Sequence, residues 1–198
     1  MADCQLTTDL TPTDCRDLGV GGLTGAVYFI DYEAWSRATK TPDSGGNGGI
    51  EAITLNGTGD KAIKYDLFPN SMTPDSPFTK NDAGQSGFTH TVPMFISPSN
   101  KQAIKNEWVG YGNYRRVVAI LVTNNDVDSV AMVYGRTTGL ELSAYSELPA
   151  DQSTGGGFTI TLTTPTTTTL EVAPADAFFN TDRATTVAAL EALLTPAP

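Results

Sequence analysis

The sequence has few of the residues from which metal centres and catalytic sites are usually built. Its 198 residues include two cysteines, Cys4 and Cys15, and one histidine, His90. These three side chains do not complete the usual four-ligand zinc site. The spacing leaves a Cys4–Cys15 disulfide open, although a reducing compartment disfavours it. His90 has no catalytic partners beside it in the sequence, and we interpret it as an ordinary strand residue.

Three motifs that would indicate chemistry are incomplete. The glycine run at residues 45–49 is not followed by the Lys and Ser or Thr of a phosphate-binding loop. Gly84-Gln-Ser-Gly87 lacks the spacing of a nucleophile elbow. The Asn and Asp residues at 124–128 lack the glycine and the downstream glutamate of a dedicated calcium loop, and a hairpin turn explains them better. We therefore expect no enzyme activity, no cofactor and no metal.

Positive charge is also scarce. The chain has 12 Lys and Arg against 22 Asp and Glu, which gives a net charge of −10. This balance argues against tight nucleic-acid binding, because binding depends on neutralising phosphates. It is compatible with a surface that nucleic acid must pass without sticking. No run approaches the roughly 20 apolar residues of a membrane span, and the first residues do not look like a secretory signal. We expect assembly in a cytoplasm and no membrane partner.

What the sequence does contain is typical of short strands joined by turns. Charged residues make up only 17% of the chain, and there are 19 glycines and 12 prolines. We predict a mainly β fold, an antiparallel β-sandwich or barrel with one flanking α-helix. The β domain covers residues 23–174, after an extended N-terminal arm at 1–22. A C-terminal tail with a short helix covers 175–198.

The stretch 115–142 is predicted to form the centre of the sheet. Apolar, β-branched residues fill 116–123, and turn residues separate this run from two further strands at 129–134 and 140–145. The three strands are expected to be neighbours in one antiparallel sheet. Because the first is apolar on both faces, a second layer must cover each side of it.

Other segments predict further strand pairs. Asn56-Gly57 favours a hairpin between residues 50–55 and 62–68. Phe158, Ile160 and Leu162 alternate with threonines, which predicts a strand with one buried face, and residues 170–172 are its expected hairpin partner. Residues 23–35 and 87–96 are also predicted strands, and Pro93 places the latter near a sheet edge.

Two helices and one long loop complete the prediction. Ile104 and Trp108 share a face of a helix over 99–109. Residues 69–87 form a polar loop of a length that is usually functional. A short C-terminal helix presents an apolar stripe that needs a partner surface, either its own domain or a neighbouring subunit. The stripe consists of Val187, Leu190 and Leu194.

With these features assembled, the chain resembles the tail-tube proteins of tailed bacteriophages. They belong to a wider family that includes the tubes of contractile injection and type VI secretion systems. The resemblance rests on an acidic, β-rich chain of this size with one internal helix near 101–109, the hairpins and the loop at 69–87. It also rests on the runs Val133-Tyr-Gly-Arg-Thr-Thr-Gly-Leu-Glu-Leu142 and Gly155-Gly-Gly-Phe-Thr-Ile-Thr-Leu162. The N-terminal arm and the C-terminal helix depart from the pattern.

The resemblance implies a structural virion protein. Copies would close into six-membered rings that stack head to tail, contact other tail proteins, and let DNA pass through an acidic lumen without specific binding. Asp66 and Glu141 are the candidate lumen acids. The tail stripe named above is the candidate contact between subunits. The candidate residues for contact between rings, all in the long loop, are Pro69, Met72, Pro74, Phe78, Gly84 and Gly87.

The sequence is also compatible with two other functions. The chain could be another virion component, such as a head-decoration, tail-terminator or fibre-base protein, which would form a fixed oligomer instead of a filament. It could also be a carbohydrate-binding β-sandwich, in which Trp35, Tyr111 and Tyr114 stack on sugar rings.

Overall fold

A computed structural model describes residues 22–44, 49–67, 71–80, 86–96, 108, 115–124, 130–147, 157–165 and 170–197. Within these ranges the chain is mainly β, and it contains two helices of which both ends are described. The strands are β1 (Leu23–Asp31), β2 (Thr39–Pro42), β3 (Ile50–Thr54), β4 (Ala62–Asp66), β5 (Phe78–Lys80), β6 (Ser86–Phe88), β7 (Thr91–Ile96), β8 (Val117–Thr123), β9 (Ala131–Tyr134), β10 (Glu141–Glu147), β11 (Phe158–Thr163) and β12 (Asp176–Phe178). The helices are α1 (Tyr32–Arg37) and α2 (Arg183–Ala192).

The strands form two main sheets and a hairpin. The large sheet has the order β2-β3-β12-β9-β8-β1-β4, and the small sheet has the order β10-β11-β7. Strands β5 and β6 pair with each other in the hairpin. Among the described strands, every pair is antiparallel except β12 with β3.

Strand β8 explains why the fold has three layers. All seven of its residues are buried. Val117, Ala119 and Leu121 face a core shared with the small sheet. The alternate residues of β8 face a second core that includes residues of both helices. Because successive side chains of a strand point to opposite faces, a strand that is apolar throughout needs a layer on each side. The prediction of a sandwich built around this run is confirmed.

The helices cover the second face of the large sheet. The Asp31 side chain caps α1 by accepting from the Glu33 N–H at 3.0 Å, and Trp35 of this helix is fully buried. The Asp182 side chain caps α2 in the same way, accepting from the Thr185 N–H at 2.7 Å. Leu190 of α2 is fully buried against the sheet. The short C-terminal helix is therefore confirmed, and its buried face lies on its own domain.

The predicted hairpin between residues 50–55 and 62–68 is wrong. Strand β3 pairs with β2 and β12, whereas β4 pairs with β1 at the other end of the large sheet. The turn forms just after Asn56-Gly57, at residues 57–60, where the Asp60 N–H donates to Gly57 O at 2.8 Å and Gly59 has a φ of 83°. After this turn, the C-terminal segment at residues 193–197 lies beside the start of β4, where the Ala62 N–H donates to Leu193 O at 2.8 Å. A local turn signal does not determine which strand the returning chain joins.

The predicted group of three central strands is right for two members only. Strands β8 and β9 form an antiparallel pair, but β10 belongs to the small sheet. Gly135 and Gly139 have φ angles of 77° and 74°, which glycine adopts without strain. These two residues bound the turn in which the chain leaves one sheet for the other. A single bridge, between Val117 and Leu140, links β8 to the start of the small sheet.

The predicted partner of β11 and the predicted C-terminal boundary also need correction. Strand β11 has the expected alternating burial, but it pairs with β10 and β7, while Glu171 bridges to Phe88. Residues 175–198 are not a separate tail. Strand β12 lies inside the large sheet between β3 and β9, and Phe178 on it is fully buried.

The long loop at 69–87 contains regular structure in its described part. Met72 and Asp75 bridge to Met94 and Thr91, so this segment runs along β7, and the hairpin β5–β6 follows. Of the helix predicted at 99–109, only Trp108 is described, and it is helical and buried. The rest of that helix and the arm at 1–21 lie outside the described residues, as do both cysteines.

Candidate functional site: the open edge of the small sheet

The two main sheets end in four strands, and three of these are short, carry a proline or are partly covered, which disfavours pairing with another chain. Strand β2 has only four residues and ends in Pro42. The start of β4 is covered by the C-terminal segment. Strand β7 carries Pro93, and the segment at 72–75 bridges to its outer side. Short strands, proline and covering segments are the usual means by which sheet edges avoid unwanted pairing.

The fourth end, β10, has none of these protections. It has seven residues, contains no proline, and is exposed at five positions. No described strand pairs with its outer side. Its middle, Leu142 to Ser146, carries no charge, while Glu141 and Glu147 lie at its two ends. A long, uncharged and exposed edge presents backbone N–H and C=O groups to any strand that approaches. Ser143 forms a bulge, and its hydroxyl donates to Thr161 O at 3.0 Å.

Both candidate lumen acids are exposed, and both lie on terminal strands. The Asp66 side chain is 74% exposed and accepts from Lys64 Nζ at 3.3 Å on β4. Glu141 is exposed on β10. Because β4 ends the large sheet and β10 ends the small sheet, a single copy does not bring the two carboxylates onto one strand pair.

The candidate residues for contact between rings have different surroundings. Met72 is buried in the core between the sheets, which contradicts a role in surface contact. Gly87 is also buried, and a Cβ atom there would lie 2.6 Å from Leu170 Cβ. Phe78 is 65% exposed, with its ring 5.4 Å from the Phe88 ring in an edge-to-face arrangement. Pro74 is half-buried. Pro69 and Gly84 lie outside the described residues.

The candidate tail stripe is covered mainly by its own domain. Leu190 is fully buried, so its proposed role between subunits is wrong. Val187 and Leu194 are half-buried and pack against the same core. Glu191 holds the helix in place, because its carboxylate accepts from Tyr28 Oη and from Lys64 Nζ, each at 2.8 Å. The hydrogen bond from Lys64 is the main reason why the pKa of Glu191 is below its ordinary value.

A cluster of buried polar contacts was missed by the sequence analysis; we call it the joint, and it consists of Glu171, His90 and the turn residues that they bind. The Glu171 side chain is almost fully buried, and its carboxylate accepts from the Thr137 and Thr138 N–H groups, each at 2.9 Å. The Thr138 hydroxyl donates a third bond at 2.7 Å. Three donors satisfy a charge that would otherwise be costly to bury. A signal was present, since Glu171 is the only charged residue between 157 and 175.

His90 belongs to the same joint, and its ring is also buried. Its Nδ1 accepts from the Gly135 N–H at 2.9 Å, and its Nε2 lies 3.2 Å from Ala173 O. A ring that accepts at Nδ1 and faces a carbonyl at Nε2 is the neutral tautomer with the proton on Nε2. The Tyr134 ring lies edge-on at 5.5 Å. The interpretation of His90 as an ordinary strand residue is therefore incomplete, because its side chain joins three segments.

A small cavity of about 180 Å³ opens beside this joint. Arg136 and Asp176 form an ion pair on its wall. The other lining residues are His90, Thr137, Glu171, Val172, Ala173 and Pro174. Among the described residues, no three His, Cys, Asp or Glu side chains are grouped so that they could hold a metal ion.

Trp35 does not present a surface to a sugar. It is buried, and its Nε1 donates to Arg136 O at 2.9 Å. Lys40 covers it further, with Nζ 4.9 Å from the ring centre and 2.7 Å from Trp35 O. Tyr111 and Tyr114 lie outside the described residues. The alternative in which Trp35 stacks on carbohydrate is therefore contradicted by its burial.

Comparison with known proteins identifies no relative. No protein-family model, no curated protein and no solved structure matches the chain significantly. Within the described part of the chain, none of the helices has the length and apolar character needed to cross a membrane.

Proposed function

We propose that this chain is a structural subunit of a virion, a tail-tube protein whose copies form stacked rings around an acidic channel. The observation that carries the proposal is the open edge of β10, the longest of the four terminal strands of the two described main sheets, which has a bulge at Ser143 but neither a proline nor a described covering segment. Such an edge favours association with another strand, and in a protein that must stay soluble it is usually paired or covered. A second copy of the chain is the partner that is always present at the required concentration.

The charges of β10 favour one kind of self-association over another. In a two-fold antiparallel pair of β10 strands, the register that uses all seven residues places Glu141 opposite Glu147 at both ends. Like charges directly opposite each other destabilise a strand pair. The edge is therefore better suited to a different strand of the neighbouring copy. Contacts between two different surfaces close into rings or continue as filaments, which is the arrangement of a tube.

The overall charge suits a channel through which DNA moves. The chain carries a net charge of −10, and stacking many copies multiplies this charge along the bore. Glu141 lies on the proposed assembly strand, so ring formation would repeat its carboxylate once per subunit around the ring. A surface of this sign repels phosphates and lets the genome pass without binding.

Phe78 is the best supported contact between rings. It is one of two large apolar side chains that are mostly exposed among the described residues, and it lies on the β5–β6 hairpin within the long loop. Its ring packs on Phe88, which fixes its position at 5.4 Å. An aromatic side chain held in place on a surface contributes contact area at a small entropic cost.

Negative-stain microscopy and sedimentation over a range of protein concentrations test the proposal. We expect the wild-type chain to form rings and short tubes as its concentration rises. Ala144→Lys/Ser146→Lys adds two positive charges to exposed positions of β10 and should leave a folded, smaller species. Thr39→Lys/Thr41→Lys is the matched control, with the same charge change and spacing on the protected edge strand β2, and it should still assemble.

The possible outcomes separate the competing functions. A wild-type chain that stays monomeric at every concentration overturns the proposal. A closed oligomer that never stacks favours a head-decoration, tail-terminator or fibre-base protein. Tubes that form equally well from both double variants show that assembly does not use β10.

A further inference from the structure

His90 connects parts of the fold that are far apart in the sequence. Its backbone N–H donates to Thr164 Oγ1 at 2.9 Å, and its carbonyl accepts from the Thr164 N–H at 2.9 Å. These bonds fix the residue to the end of β11 in the small sheet. Its ring reaches the Gly135 N–H on one side and Ala173 O on the other. The ring therefore joins the small sheet to the turn at 135–139 and to the segment at 171–175.

The bond to Gly135 exists only while the ring is neutral. A protonated imidazole has a donor at both nitrogens. Two N–H groups would then face each other across 2.9 Å, so the contact with Gly135 must open. The bond to Ala173 O survives protonation, because Nε2 already carries the proton in the neutral form. Protonation thus acts on one of the two contacts, the one that holds the turn.

We propose that His90 is an acid-sensitive latch, which holds the turn at 135–139 in place when neutral and releases it when Nδ1 is protonated. The proposal is independent of the tail-tube assignment. The released turn is the connection between β9 and β10, so the latch controls the segment from which the exposed strand β10 begins.

The charged groups around the ring are largely committed to other partners. Glu171 faces it from the segment after β11, but the carboxylate already accepts three bonds from Thr137 and Thr138. Asp176 faces it from β12 and is paired with Arg136, which comes from the turn. Tyr134 of β9 contacts the ring edge, and Asp75 lies near Tyr134.

The balance of these surroundings favours the neutral ring. Burial lowers the pKa of His90 below its ordinary value of 6.5, and Glu171 opposes this effect without overcoming it. The folded chain therefore keeps a neutral ring at pH values where an open or unfolded chain has taken up a proton. The latch is closed above pH 6.5 and weakens as the pH falls below this value, by up to about tenfold per pH unit in the opening equilibrium for one proton.

The test uses the full chain labelled with ¹⁵N, because His90 is the only histidine and its ring signals need no assignment. At neutral pH we expect an unprotonated Nδ1 and a protonated Nε2. We also expect a titration midpoint below 6.5. As the pH falls, hydrogen exchange at Gly135 should accelerate relative to its intrinsic rate, while the amides of Val118 to Val122 in β8 stay protected.

His90→Asn is the matched control. Asparagine can place an oxygen near the position of Nδ1 and accept from the Gly135 N–H, but it does not titrate in this range. Exchange at Gly135 should then lose its dependence on pH beyond the intrinsic rate. If this variant does not fold, the wild-type measurements decide alone. A proton on Nδ1 at neutral pH, a midpoint at or above 6.5, or titration without a change at Gly135 would each overturn the latch.

Discussion

The two sheets of this protein bury the same kinds of residues but differ in how completely they are covered. The large sheet has apolar cores on both faces, and its two terminal strands are short or partly covered. The small sheet has one core face, and it ends in a seven-residue strand that is exposed at five positions. The large sheet thus provides the stability of the subunit, whereas the small sheet has an edge suited to association.

The largest expected effect is a difference in how much a core substitution in each sheet lowers the free energy of unfolding. Ile120→Ala, at a fully buried position of β8, should lower the free energy of unfolding by about 3 kcal/mol. Leu142→Ala, at a half-buried position of β10, should lower it by about 1 kcal/mol, since less area leaves the core. Urea unfolding of both variants measures the difference. Equal losses would contradict the view that the large sheet is the main source of stability.

The next effect concerns the joint between the sheets. Glu171→Ala removes the acceptor of three hydrogen bonds and leaves the buried N–H of Thr138 unpaired, whereas Thr137 is exposed and its N–H can turn to water. We expect a loss of about 2 kcal/mol, because unpaired buried donors keep their full desolvation cost. Glu171→Gln retains the shape and one acceptor oxygen, and it should recover part of the loss. A Glu171→Ala variant as stable as the wild type would show that the joint does not hold the sheets together.

The smallest expected effect on stability is at the hairpin. Phe78→Ser removes an exposed ring that contacts Phe88, so the loss should stay at or below about 1 kcal/mol by thermal unfolding. Ring stacking should nevertheless be reduced, which shorter tubes in micrographs would show. Val172→Ser is the matched control, because Val172 is 77% exposed but does not belong to the hairpin. Equal tube lengths for both variants would remove Phe78 from the stacking contact.

The sequence predicted burial correctly where apolar residues follow the two-residue repeat of a strand or fill the strand completely. The uninterrupted apolar run of β8 predicted a strand covered on both faces, and the alternation of Phe158, Ile160 and Leu162 predicted one buried face for β11. Both predictions depend only on the period of two along a strand, which neighbouring residues determine. They were sufficient to establish the fold class.

The sequence predicted the pairing of β8 with β9 but not the other strand pairs. Strand β12 has only three residues, yet it lies between β3 and β9 in the large sheet. A turn formed at residues 57–60, beside Asn56-Gly57, but it does not join β3 to β4 as a pair, because β4 pairs with β1 instead. Pairing of this kind is decided by contacts between distant residues, which a local pattern does not contain.

The candidate site was predicted only in part. Asp66 and Glu141 are exposed as expected, because charged residues are rarely buried without a partner, and Phe78 is exposed as its assignment to a contact surface requires. Met72 and Leu190 were assigned to surfaces but are buried, since the packing of a loop and a terminal helix onto their own domain has no local signature. Neither the open edge of β10 nor the joint of His90 with Glu171 follows from the residues alone.

The central claim is that β10 is the strand through which copies of the chain associate. Hydrogen exchange measured on the dissociated and the assembled protein tests it most directly. The account predicts that those amides of Ser143 to Ser146 that point away from β11 become protected on assembly, while the amides of Thr39 to Thr41 on β2 do not change. Assembly that leaves the β10 amides as accessible as in the dissociated chain would contradict it.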